Sequence, residues 1–119
     1  MNSKVIQVNN TYHNNQDTLI SILANLQGVT AKEQILILLA INNIHQNNPF
    51  QITKQAKTEI GEYIIQIIKA DGFQKSSLSV GIHRLKAKGV LIEFNGMVKL
   101  CSVYDGMDKV EQIVIRVKK

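Results

Sequence analysis

At Gly89 the spacing of apolar residues switches from helical to alternating. Before it, Leu78, Ile82 and Leu85 recur on one face of a helix running from about Lys75 to Lys88, and Gly89 is a natural residue to stop that helix. After it, "VLIEF" and "MVKLCSVY" alternate on either side of Asn95-Gly96, a dipeptide whose two residues both tolerate positive φ. The spacing predicts a β-hairpin placed directly after a helix.

Three further helices are expected upstream. From Asp17, read as an N-cap, Leu19, Ile20, Ile22, Leu23 and Leu26 follow helical spacing as far as Gly28. Thr30 and Glu33 have the spacing of a capping box, in which hydroxyl and carboxylate each accept a backbone N–H left over at a helix start. The helix they would open, ending near His45, carries Ile35, Leu36, Leu38, Leu39, Ile41 and Ile44, apolar on nearly every side and therefore central to the core. Asn47-Asn48-Pro49 ends it. Thr53 then caps a helix whose stripe is Ala56, Ile60, Tyr63, Ile64, Ile67 and Ile68, with Lys54, Lys57, Glu59 and Glu62 away from it, and Asp71-Gly72 forces a turn. At the ends, "SKVIQV" reads as a short strand in need of a partner. "KVEQIVIRV" reads as a last strand, after Asp105-Gly106, that extends the hairpin.

A chain of 119 residues, 45% hydrophobic and 19% charged, has the size and balance of one globular domain. Fourteen basic against nine acidic residues give a net charge of +5, which favours a polyanionic partner without specifying one. The single cysteine, Cys101, has no internal disulfide partner, and the amino-terminal residues do not resemble a secretory leader, so a reducing cytoplasm is expected. No apolar run approaches the ~20 residues of a membrane span.

Helices in this order, the last two joined by a tight turn and followed at once by a hairpin, resemble a winged helix-turn-helix between Thr30 and Tyr104. Within "FQKSSLSVGIHRLKAKGVLI", a Ser-rich helix start (Ser76, Ser77) leads to Leu78, Ile82 and Leu85, then Lys86, Lys88, Gly89 and Leu91. That pattern is similar to the recognition helix and first wing strand of MarR-like regulators and of winged-helix proteins encoded by phages and plasmids. The helix preceding it, with its loop, is longer here than in compact bacterial repressors. The resemblance implies an α+β winged-helix domain spanning 1–119, with its core at 30–104. Segments 1–28 and 107–119 are then peripheral and are candidate dimerisation elements, since two-fold dimers match palindromic sites.

If Leu78, Ile82 and Leu85 face inward, Ser76, Ser79, Val80, His83 and Ala87 face outward, with Arg84 at the flank. Such a face fits the major groove of double-stranded DNA, where Arg84 can donate two bonds to guanine, hydroxyls can read several base edges and Val80 can touch a thymine methyl. Ser76 and Ser77 at the helix start favour a phosphate oxygen. Lys75, Lys86 and Lys88 are further phosphate contacts, and Lys99 on the hairpin is placed for the minor groove or backbone.

Plainer readings stand beside these. The serines can simply cap the helix, the lysines can form a solvated face, and His83 can be a groove contact or a surface residue. Cys101 can pack as a small hydrophobe or serve as an exposed thiol. His13, His45 and His83 lack metal-ligand spacing, Tyr12, Tyr63 and Tyr104 are too dispersed to stack single strands, and no nucleophile, phosphate loop or dinucleotide fingerprint occurs. The expected function is therefore non-catalytic, sequence-specific binding of duplex DNA by a cytoplasmic homodimer. The protein would act as a transcriptional regulator or as a replication or partition factor of a mobile element, with no cofactor, metal or membrane. The alternative is a winged-helix module that docks on a polymerase or replication assembly, favoured by the uncharged Val80 and Ala87.

Overall fold

The computed structural model describes residues 2–5, 15–70, 72–105 and 114–117, with 2–5, 15–16 and 114–117 as backbone alone. At its centre lies helix α2, Lys32–His45, in which every residue from Gln34 to Asn42 is buried. Helix α1, Asn15–Leu26, packs along it with Ile20 and Ala24 at zero exposure, and α3, Lys54–Gln66, contributes Ala56, Ile60 and Ile64 from another side. A 3₁₀ turn, Lys75–Ser77, leads into α4, Leu78–Ala87, which closes the core with Leu78, Ile82 and Leu85. The protein is thus α+β, four helices with a two-stranded antiparallel hairpin. Among the described residues no helix is long and apolar enough to cross a membrane.

The seat of α4 depends on a missing side chain. A Cβ at Gly81 would collide with the δ-methyl of the fully buried Ile37, so glycine lets α4 approach α2 closely. The helix then ends in paired turns, the Val90 N–H donating to the Leu85 carbonyl and the Gly89 N–H to that of Lys86, both at 3.0 Å. That geometry delivers the chain directly into β2, Leu91–Phe94.

Strands β2 and β3, Met97–Leu100, pair antiparallel from Leu91↔Leu100 to Phe94↔Met97 across Asn95-Gly96, whose φ angles of 50° and 74° are those the two-residue turn demands. Leu91, Val98 and Leu100 face the core, while Ile92, Phe94, Met97 and Lys99 share the outer face. On the outer edge of β3, Phe50 exchanges both backbone bonds with Val98, at 2.9 and 2.8 Å, and so tethers the hairpin to the segment between α2 and α3.

That tether bears on a correction. The last strand, β4 at Val114–Val117, does not extend the hairpin; it pairs antiparallel with β1, Asn2–Val5, in a separate two-stranded sheet registered from Asn2↔Val117 to Val5↔Val114. The edge of β3 is already occupied by Phe50. The second hairpin strand also stops earlier than its alternation suggests, because Ser102–Tyr104 turns as a 3₁₀ segment. This turn buries Tyr104 completely, and its hydroxyl donates to Gln27 Oε1 at 2.6 Å while Gln27 Nε2 approaches Cys101 Sγ at 3.5 Å. Burial, with Cys101 alongside, pushes the Tyr104 phenol far above its ordinary pKa. Cys101 is itself buried, in keeping with the small-hydrophobe reading.

Helix starts divide between expected and corrected. Thr53 caps α3 as its sequence suggests, its Oγ1 accepting the Ala56 N–H at 3.0 Å. The Thr30–Glu33 box does not form: Ala31 is the N-cap of α2 and offers no side-chain bond, which leaves Thr30 one residue too early. Asp17 is not the cap of α1 either, since the helix begins at Asn15; Asp17 is buried in its first turn and accepts from Asn43 Nδ2 at 2.8 Å, joining α1 to α2. At the far end of α2, His45 stacks on Phe50 with ring centroids 3.8 Å apart and planes 3° from parallel. Burial holds its imidazole below the ordinary pKa, with Glu59 pulling weakly the other way.

Candidate nucleic-acid interface

The buried side of α4 fixes what its other side presents. With Leu78 at 4%, Ile82 at 3% and Leu85 at 0% exposure, Ser76, Ser79, Val80, His83, Arg84 and Ala87 all lie in the open, and Val80 is 52% exposed. None of these outward side chains is buried in the chain's own core. Ser77 occupies the N-cap of α4 with α-helical backbone angles and makes no side-chain capping bond, so simple capping does not account for its hydroxyl.

Beside this face runs a groove of about 350 Å³ between α4, the hairpin and the start of α3. Ser79, His83 and Lys86 line it from α4, Glu93 and Gly96 from the hairpin, and Lys57 from α3. Lys57 is the residue that sequence reasoning missed. Helical spacing puts it only off the apolar stripe of its helix, whereas the fold brings the first turns of α3 across to α4. The available signal was its place early in the α-helix that directly precedes α4.

The other lysines are distributed unevenly. Lys86 Nζ bonds Glu93 at 2.9 Å and Lys75 Nζ bonds Glu62 at 3.1 Å. Both pairs are substantially exposed, and exposed pairs contribute only about 0–1 kcal/mol, so exchanging carboxylate for phosphate is cheap. Lys88 Nζ instead donates to the Gly28 carbonyl at 2.8 Å and ties the end of α4 to the turn after α1. Lys99 lies on the outer face of the hairpin with Ile92, the opposite face from Glu93, and does not line the groove. The structure therefore gathers Ser79, His83 and Lys86 with Lys57, keeps Ser76, Ser77, Val80 and Arg84 along the neighbouring flank of α4, and sets Lys88 and Lys99 apart.

Among the described residues no cluster of three or more His, Cys, Asp or Glu side chains is arranged to hold a metal ion. What the arrangement offers chemically is a helix with an open face of hydroxyls, one imidazole and one guanidinium, bordered by cations. No protein-family model matches this chain, and no curated protein or solved structure matches it either.

Proposed function

We propose that this protein is a winged helix-turn-helix DNA-binding protein that lays α4 in the major groove of a duplex. In this reading it acts without catalysis, as a transcriptional regulator or as a replication or partition factor of a mobile element. The observation that carries the reading is the division of α4 into a buried Leu78–Ile82–Leu85 side and an exposed Ser79–His83–Ala87 side, which Ser76 of the preceding 3₁₀ turn continues, with a hairpin closed by a two-residue turn following directly. Ten residues of α-helix span ~15 Å, enough to cross a major groove ~12 Å wide.

In this reading Arg84 and Ser79 address base edges, and Ser76 and Ser77 set register on a phosphate. Lys57, Lys75 and Lys86 neutralise backbone charge around them, and the hairpin reaches the adjacent backbone or minor groove. The paired strands β1 and β4, together with α1, are the elements through which two copies would assemble on a palindromic site.

A gel-retardation series with random-sequence duplex tests the reading. Retardation at low salt that fades as salt rises is expected, and Lys57→Ala or Lys86→Ala should each reduce the salt slope by about one unit and weaken all duplexes alike. Absence of retardation at low salt would instead favour docking on another protein, for which the exposed Val80, Ile92 and Phe94 supply apolar surface.

A further inference from the structure

A second groove, of about 280 Å³, lies on the other flank of α4, between it and the start of α2. Glu33 and Gln34 line one wall; Ser76, Ser77, Val80 and Arg84 line the other. We propose that this groove binds a small zwitterion of the free α-amino-acid class, its carboxylate toward Arg84 and the serines and its ammonium toward Glu33 and Gln34.

Three observations carry this. Gln34 is only 4% exposed, yet its Oε1 has no hydrogen-bond partner among the described residues. A buried acceptor left unsatisfied is destabilising, and a ligand that brings a donor relieves that cost. Next, Glu33 and Arg84 border the same groove without forming an ion pair with each other, and neither is paired elsewhere among the described residues. A simple anion is repelled by the Glu33 carboxylate and a simple cation by the Arg84 guanidinium; a molecule carrying both charges satisfies both walls. Finally, the donor wall combines a guanidinium, which grips carboxylates in bidentate fashion, with a Ser77 hydroxyl that takes no part in capping its helix. Val80, half exposed between them, offers apolar contact to a side chain.

Ser76, Ser77, Val80 and Arg84 also belong to the surface proposed to meet DNA. Occupancy of this groove would therefore withdraw Arg84 from base contact and lower specific affinity, a consequence that rests on the proposed function, whereas amino-acid binding itself does not.

The test is a titration of the full chain, free of DNA, with each standard L-amino acid and with inorganic phosphate. It is followed by the unfolding midpoint and by the NMR signals of the Gln34 amide and the Arg84 Nε–H. At least one amino acid should raise the midpoint and move both signals, phosphate alone should move neither, and the surface variant Glu33→Gln should weaken binding by about tenfold or more. The proposal is overturned if no amino acid acts, if phosphate acts equally, or if Glu33→Gln changes nothing. Adding the active amino acid to the retardation assay should then reduce affinity for a matched duplex. A chain that binds an amino acid but no duplex keeps this site and discards the proposed function; a duplex binder indifferent to amino acids does the reverse.

Discussion

Leu85→Ala is expected to remove about 2–5 kcal/mol of folding stability, measured by urea denaturation followed by circular dichroism. Leu85 has no exposed surface, and its backbone carbonyl accepts the Val90 N–H that starts the hairpin. Truncation therefore opens a cavity at the point where α4 leaves the core, against neighbours that can collapse only in part. A domain of ordinary stability, about 5–15 kcal/mol, would survive but open far more often. A loss under about 1 kcal/mol would mean that α4 turns a different side to the core and that its outward face has been wrongly assigned.

Arg84→Ala is the complementary case. The side chain is exposed and unpaired among the described residues, so stability should change by no more than about 0.5 kcal/mol. Binding to a duplex selected from fragments of the source genome should nonetheless weaken by about 1–3 kcal/mol, roughly 5- to 150-fold, with affinity for scrambled duplex much less affected. Equal loss on matched and scrambled DNA would reduce Arg84 to a phosphate contact and leave base reading to Ser79 and His83.

The parts of this fold that could be read from sequence are those set by short-range chemistry. Asn95-Gly96 turns as it does because both residues accept positive φ, and Thr53 caps α3 because its hydroxyl reaches a free N–H three residues on. The unbroken burial of α2 follows from apolar residues on nearly every side of it. The failures arose where distant partners decide. Thr30 and Glu33 have capping-box spacing, yet the N-cap of α2 falls one residue later, at Ala31, and spacing alone does not fix that register. Asp17 has the chemistry of a cap, but Asn43, 26 residues away, gives it a role inside the core. The hairpin had a free edge to offer a final strand until Phe50 took it, and only the folded chain brings Phe50 to Val98.

The candidate site divides in the same way. The outward residues of α4 follow from helical periodicity once its core stripe is known. The arrival of Lys57 beside them, the diversion of Lys88 to the Gly28 carbonyl and the separation of Lys99 by strand parity are consequences of tertiary packing.

The most direct measurement is an amide NMR titration of the full chain with short duplex DNA at low salt. The account predicts that the largest shifts fall on Ser76, Ser79, His83, Arg84 and Lys57, with Ala24 and the interior of α1 little moved. Shifts confined to α1 or to the outer hairpin face of Ile92 and Phe94, with α4 silent, would contradict it.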